Sequence, residues 1–212
     1  MHDLKGMSKQ KKAEYIWEYY KLHIVGTLVA LCIIISIIHG QITKPNYVFT
    51  LTMLSSIVDT NKTNTLESQL TKIVVKDGST KNQAIVRTMP LDGSKITDTQ
   101  MANQYMQKFI AEISVGELDI VVLNKTMFEK FAKEDMFLRL DNISGLTLGS
   151  LKGEKLHAIG SNKKNVVYGI DIKDDVILKK MGLTTKDMVI GIIASTKQKD
   201  NSLLVLKWLL NK

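Results

Sequence analysis

The side chains that most often carry catalysis or bind metals are scarce in this sequence. From residue 47 to the C-terminus there is one histidine, His157, and no cysteine. A cysteine–histidine nucleophile pair and a zinc site built from both residue types are therefore excluded there. His157 falls in a predicted strand, which favours a half-buried polar residue over a catalytic one. The acidic pairs at 134–135 and 174–175 fall at a predicted helix end and a predicted helix start.

Sequence motifs for phosphate binding and acyl transfer are also missing. The chain contains no Gly-x-Ser-x-Gly, no Walker A motif and no Gly-x-Gly-x-x-Gly. A serine–lysine hydrolase remains open, because both residues are plentiful, but no spacing singles out a pair. We therefore predict that the protein is not an enzyme, and that it has no catalytic residues, no metal site and no cofactor.

The charge of the chain is moderately basic. The net charge is +8, of which residues 1–21 contribute +2 through five lysines against three acidic residues. Such a balance suits the surface of an anionic cell envelope or an acidic partner, and it also keeps a domain soluble. There is no arginine-rich stripe and no basic motif interleaved with aromatic residues, so nucleic acid is not predicted as a partner.

An N-terminal apolar run predicts a transmembrane helix. Residues 22–38 contain one ionisable side chain, His23, and as a helix they nearly fill a hydrocarbon core of about 30 Å. Aromatic and basic residues precede the run, namely Trp17, Tyr19, Tyr20, Lys9, Lys11, Lys12 and Lys21. The positive-inside rule then places the N-terminus in the cytoplasm and the residues after 40 outside it.

A cleaved signal peptide is the alternative interpretation of this run. It would need a small-x-small site after the apolar core, and the run ends in "SIIHGQ" instead. A lipoprotein signal is disfavoured because bulky Leu31 precedes Cys32. We therefore predict an uncleaved signal-anchor, and a single-pass protein of the cell membrane. Cys32 is the sole cysteine, so no disulfide can form within the chain.

The remainder of the chain alternates strand and helix patterns. Apolar, β-branched segments predict strands at 47–54, 83–89, 118–124, 136–141, 155–160, 165–172 and 188–195. Between the strands, apolar residues at helical spacing predict helices. One of these helices has an apolar stripe formed by Met101, Tyr105, Phe109 and Ile113 and widened by Ala102, Met106 and Ile110. Strands separated by helices predict an α/β fold with a mostly parallel sheet. The predicted organisation is a cytoplasmic segment 1–21, a transmembrane helix 22–39, a linker 40–46 and an α/β domain 47–212.

One stretch of this domain resembles a known family. The segment "QYMQKFIAEISVGELDIVVLNKTMFEKFAKEDMFLRLD" is similar to part of the bacterial extracellular solute-binding proteins of the periplasmic-binding type II fold. Asp119 at the strand start and the helix over 125–133 carry the match. "VVYGIDIKDDVILKKMGL" and "VIGIIASTKQKDNSLLVLKWLL" resemble the late region of that family, where a closing helix returns to the first lobe.

The resemblance implies a two-lobed, periplasmic-binding-protein-like domain. Lobe 1 would comprise about 47–91 and 166–212, and lobe 2 about 92–165. Two features depart from the family. The outer segment is shorter than a usual member, and its anchor is a membrane helix instead of a lipidated cysteine.

Candidate binding residues follow from where ligands bind in open α/β sheets, namely beyond the carboxyl ends of strands. The residues at or near predicted strand ends are Ser55, Ser56, Thr88, Asn124, Tyr168, Asp171 and Ser195, with Met89 and Thr196 beside them. Their hydroxyl and amide groups could hydrogen-bond a polar solute. Two alternatives stay open: Asn124 as a helix cap, and Ser55 and Ser56 as ordinary turn residues.

Two functions are compatible with these features. The first is a membrane-anchored extracytoplasmic protein that binds a small solute or peptide, as a sensor or as an accessory to a transporter. The alternative is a scaffold that has lost its ligand and mediates protein–protein contacts in a membrane complex. The expected partners are the bilayer and a membrane transporter or sensor subunit.

Overall fold

The computed structural model describes residues 8–55, 60–91, 99–161, 164–180, 182–183 and 185–211. The chain divides into two compact units, Met1–Lys44 and Pro45–Lys212, and each is described by itself. The candidate Ser56 lies outside the described residues.

The first unit is built on one long helix, α1 (Lys9–Thr43). Ser8 caps its start, and the Ser8 side chain accepts a hydrogen bond from the Lys11 amide at 3.4 Å. Within the 25 residues Trp17–Gln41, the most apolar stretch of 18 residues has a mean hydropathy of 2.4, and by length and composition this part of the helix can cross a membrane. The predicted apolar helix is confirmed. It continues past residue 39 to Thr43, so most of the predicted linker is helical.

The second unit contains a six-stranded sheet. Its strands are β1 (Asn46–Met53), β2 (Asn82–Thr88), β3 (Ile120–Asn124), β4 (Lys155–Ile159), β5 (Asn165–Asp171) and β6 (Met188–Ile192). They are ordered β2-β1-β3-β6-β5-β4 across the sheet. β1 pairs in parallel with β2 and β3, whereas the β3–β6, β5–β6 and β4–β5 pairs are antiparallel.

The α/β class is confirmed, but the prediction of a mostly parallel sheet is wrong. Three of the five pairings are antiparallel. The short connection from β4 to β5 allows only an antiparallel return, because a parallel crossover needs about a dozen residues or more. A two-lobed arrangement is not confirmed. β3, from the segment assigned to lobe 2, lies between β1 and β6 of lobe 1 in the same sheet.

Helices cover both faces of the sheet. They are α2 (Thr60–Val74), α3 (Thr99–Val115), α4 (Lys125–Lys133), α5 (Val176–Lys180) and α6 (Lys199–Leu210). Residues of α2, α5 and α6 share one apolar core with Ile120 and Val122 of β3. Residues of α3 and α4 share a second core with Val121 and Leu123. Since alternate strand residues point to opposite faces, the unit has three layers, helix on sheet on helix.

The outer edge of β2 is closed by side chains of α2. The backbone amide of Ala84 donates to Thr71 Oγ1 at 3.0 Å, and that of Val86 donates to Glu67 Oε1 at 2.9 Å. Unpaired amides on an edge strand are a template for pairing with another chain. Here two of them are satisfied within the unit, so α2 protects this end of the sheet.

Candidate ligand cleft at the split between β5 and β6

The sheet splits between its fourth and fifth strands. β5 pairs with β6 only through Ile170 and Asp171. Further along β6, the Leu138 amide donates to the Ile192 carbonyl at 2.8 Å, and the Ala194 amide donates to the Met136 carbonyl at 2.9 Å. Residues 136–138 therefore take the place beside β6 that the first half of β5 would otherwise occupy. They follow α4 directly, and β5 diverges to pair with β4.

A cleft of about 390 Å³ lies at this split. It is lined by Asp135, Phe137, Leu138, Arg139, Asn142, Ile143, Tyr168, Ala194 and Lys199. These residues come from three separate parts of the chain: the segment after α4, strand β5, and the junction of β6 with α6. The volume lies in the range of small-molecule sites, about 300–1,000 Å³. We call this feature the split cleft.

Asp135 organises one side of the split cleft. Its Oδ1 accepts a hydrogen bond from Tyr168 Oη at 2.6 Å. Its Oδ2 accepts from the Ser161 amide at 3.0 Å and from Ser161 Oγ. These bonds, above all that from the Ser161 hydroxyl, lower the pKa of Asp135 below its ordinary value. Asp135 is therefore an anion in the cleft at neutral pH.

The close contact between the Asp135 carboxylate and the Tyr168 hydroxyl depends on a glycine and on an unusual backbone angle. Asp135 has a φ of +52° at the end of α4, a conformation that aspartate tolerates better than most residues. A Cβ on Gly160 would lie 2.6 Å from Tyr168 Oη and would also overlap the Asp135 carboxylate. Only glycine fits at this position while the Asp135–Tyr168 bond is kept.

Tyr168 is buried, with 1% of its surface exposed. Burial, together with the hydrogen bond to Asp135, raises the pKa of Tyr168 to about 12. Its hydroxyl is therefore a neutral donor across the physiological range. The donor is directed to Asp135 and holds that carboxylate in place.

Tyr168→Phe is expected to change how stability depends on alkaline pH. The unfolded chain releases a tyrosine proton near pH 10, whereas folded Tyr168 does so at about 12. The raised pKa of Tyr168 therefore contributes to the free energy of unfolding. This contribution is complete below pH 10 and is lost as the pH rises from 10 to 12. The free energy of unfolding, measured by urea titration at several pH values, should fall less steeply over this interval in the variant. At neutral pH we expect the variant to lose about 1–3 kcal/mol.

The matched control is Tyr47→Phe, which removes an exposed phenol. Its alkaline profile should follow that of the unmodified chain. Equal slopes for the unmodified chain and Tyr168→Phe between pH 10 and 12 would contradict the buried bond to Asp135.

Two cationic side chains complete the lining of the split cleft. Arg139 Nε lies 3.6 Å from Asp141 Oδ1, and the Arg139 side chain is about one-third exposed. This Nε is buried and has no hydrogen-bond partner in the described part of the chain. Lys199 is the exposed first residue of α6. The exposed amide of Asn142 lies in the same lining. The cleft thus combines both signs of charge with a neutral amide, a set suited to a polar or charged solute.

A neighbouring cleft of about 400 Å³ lies at the end of β5 and is lined partly by Asp171 and Asp175. Its carboxylates have local partners: Asp171 Oδ1 accepts from the Lys173 amide and Asp175 Oδ1 from the Leu178 amide, each at 2.7 Å. Burial raises the pKa of Asp175. The split cleft is the better candidate because its lining includes Arg139, whose buried Nε has no hydrogen-bond partner among the described residues.

The candidate residues predicted from the sequence lie in different places. Ser55, Thr88 and Asn124 lie at the carboxyl edge of β1, β2 and β3, whereas the residues after β6 lie at the opposite edge. Ser195 Oγ there donates to the Ile113 carbonyl. Asp171 lines the neighbouring cleft. Among the described candidates, only Tyr168 lines the split cleft.

The candidates at the carboxyl edge differ in their environments. Ser55 is buried and its Oγ has no partner in the described part of the chain, while Thr88 is exposed. Asn124 Oδ1 accepts from the Met127 amide at 2.8 Å. The helix-cap interpretation of Asn124 is therefore confirmed.

Sequence reasoning missed Asp135, Arg139, Asn142 and Lys199. Asp135 was predicted to be a solvated helix end, and it is separated from Tyr168 by 33 positions in the sequence. No motif or periodicity joins these residues. The pairing of residues 136–138 with β6 brings them together, and the sequence carries no local signal for it.

Asp119, which carries the family resemblance, has a structural position. It is buried, and its Oδ2 accepts from the Thr50 amide at 2.7 Å. Its Oδ1 accepts from the Thr196 hydroxyl. Burial raises the pKa of Asp119, and these hydrogen bonds oppose that rise. Asp119 thus ties β1 and the turn after β6 to the start of β3.

Comparisons with protein-family models, curated proteins and solved structures found no match. Across the described residues, no group of three or more histidine, cysteine, aspartate or glutamate side chains could hold a metal ion. The fold defines a three-layer α/β unit with a mixed sheet, preceded by one apolar helix. The resemblance to solute-binding proteins is carried only by the sequence segments quoted above.

Proposed function

We propose that this chain is a membrane-anchored protein whose α/β unit lies outside the cytoplasm and binds a small polar solute or peptide. Binding takes place in the split cleft, and the protein acts as a sensor or as an accessory to a transporter. The observation that carries the proposal is the convergence of Asp135, Arg139, Tyr168 and Lys199 from three parts of the chain. A relationship to the periplasmic-binding type II proteins is part of this proposal.

Membrane anchoring is supported by helix α1. Its candidate membrane window, Trp17–Gln41, is 25 residues long, which as a helix spans about 37 Å and exceeds a hydrocarbon core of about 30 Å. The lysines and aromatic residues precede the window or lie at its start, as expected for a cytoplasmic N-terminus.

The chemistry of the split cleft supports a solute that carries hydrogen-bonding or charged groups. The guanidinium of Arg139 offers donors to a carboxylate or phosphate, including a buried Nε without a partner in the described part of the chain. The Asp135 carboxylate offers acceptor capacity for an ammonium or hydroxyl group. Phe137 and Ile143 supply apolar surface beside these groups.

The test is a thermal-shift screen of the full chain in a neutral detergent against amino acids, sugars, short peptides and metal ions. One class of compound is expected to raise the melting temperature. A ligand at one hundred times its dissociation constant stabilises the folded state by about 2.7 kcal/mol. Arg139→Gln should abolish the shift. Lys133→Gln, an exposed lysine of α4 outside the lining, should retain it. Uniformly flat melting temperatures of a cooperatively unfolding protein would contradict solute binding.

A further inference from the structure

A third concave surface lies on the face of the sheet opposite to the core that contains Tyr168. It is a groove of about 550 Å³ between α2, α5 and α6. Its lining residues are Lys62, Thr65, Gln69, Val176, Ile177, Lys180 and Trp208. The proposed function does not use any of them. We call this feature the Trp208 groove.

The Trp208 groove has an apolar base. Trp208 and Ile177 are partly buried and pack against the core shared by α2, α5 and α6. Val176 lies in the same lining and is 54% exposed. Large apolar side chains in a concave surface of this volume are typical of sites that accept the apolar part of a small ligand.

The charge of the groove has one sign. Lys62 and Lys180 line it, and no carboxylate is among the described lining residues. Neither lysine forms an ion pair with a described residue, whereas the adjacent Lys179 pairs with Asp174 at 3.5 Å. Lys62 extends from α2 to the turn after α5, since a Cβ on Gly182 would lie 3.8 Å from Lys62 Nζ. The two cations therefore flank an apolar base and have no counter-ion among the residues that the structure describes.

We propose that the Trp208 groove binds a soluble small anion that has an apolar or aromatic body, a carboxylate or phosphate in chemical class. The apolar body would contact Trp208, Ile177 and Val176, and the anionic group would pair with Lys62 and Lys180. The amide of Gln69 offers a hydrogen-bond donor beside them, whereas the Thr65 hydroxyl donates to the Asn61 carbonyl at 3.0 Å. Three helices border this volume of about 550 Å³, which suits a compact body better than the paired chains of a phospholipid.

The test uses the two tryptophans of the chain. Trp17→Phe leaves Trp208 as the sole tryptophan reporter, and the full chain is placed in nanodiscs of neutral phosphatidylcholine. Titration with 4-phenylbutyrate should shift the Trp208 emission saturably. The uncharged analogue 4-phenylbutanol should bind with an affinity at least about fivefold lower, because it cannot form the two ion pairs.

Matched charge variants separate a built site from general attraction. Lys62→Gln with Lys180→Gln should raise the dissociation constant of 4-phenylbutyrate about fivefold. Lys72→Gln with Lys133→Gln removes the same charge from exposed positions outside the groove and should leave the constant unchanged. No saturable shift, equal affinity for the two probes, or equal effects of the two double variants would each overturn the proposal. A shift caused by phosphatidylglycerol in the nanodisc, and not displaced by 4-phenylbutyrate, would also overturn it.

Discussion

Replacing Phe128 with alanine is expected to lower the free energy of unfolding of the α/β unit by about 3–5 kcal/mol. Phe128 is buried on α4, and its ring stacks on Phe137 with the ring centroids 5.1 Å apart. The ring also covers Gly169 of β5, where a Cβ would lie 2.5 Å from Phe128 Cε2. The truncation leaves a cavity at the β5–β6 split that rigid strands cannot fill.

Urea unfolding followed by tryptophan fluorescence measures this effect, because Trp208 reports on the α/β unit. Thr126→Ala, an exposed position on the same helix, is the control and should change stability by less than about 0.5 kcal/mol. If Phe128→Ala lowers the free energy of unfolding by less than about 1 kcal/mol, this would contradict the packing of α4 over the split. The split cleft would then lack its supporting layer.

Placing two lysines in the apolar helix is expected to abolish membrane anchoring. Val29→Lys and Ile33→Lys lie near the middle of the window Trp17–Gln41. A lysine at the centre of a membrane helix costs about 2.5–3.5 kcal/mol, so the pair costs about 5–7 kcal/mol. The double variant should move from the carbonate-washed membrane pellet to the soluble fraction. Ser8→Lys with Gln10→Lys adds the same charge outside the window and should stay in the pellet.

The same strains test the orientation of the chain. Protease added to intact cells should digest the α/β unit of the unmodified protein and leave that of the double-lysine variant protected in the cytoplasm. Full protection of the unmodified protein would contradict the proposed outside location. An intact mass of 23.8 kDa for the membrane-purified chain is expected if the anchor is not cleaved.

Local patterns predicted single elements well. The spacing of apolar residues in α4 predicted Met127, Phe128, Phe131 and Ala132 as inward residues. The last three are buried, whereas Met127 is half-buried and packs against the same core. Asn124 caps this helix as its residue type allows. A short helix with one clear apolar face has few ways to bury that face, so its own residues are sufficient to predict its orientation.

Predictions that depended on neighbouring elements were less successful. In α3, Phe109 and Ile113 of the predicted stripe are buried, whereas Met101 and Ile110 are 47% and 41% exposed. Helical spacing defines the direction of an apolar face, but its covered width depends on what packs against it. The predicted strand at 136–141 is reduced to one bridge, Phe137 with Ile193, followed by a short 3-10 helix at Leu140–Asn142.

The sequence by itself determined the apolar N-terminal helix, the α/β class and the lack of common catalytic motifs. These properties depend on composition and on spacing over a few residues, which hydrophobic burial and backbone geometry convert directly into local structure. Only the tertiary structure decided the relative directions of the strands and which residues line the split cleft. Tyr168 contacts Asp135 because residues 136–138 displace half of β5 from β6. Such long-range pairing depends on the packing of the whole sheet, and no local pattern encodes it.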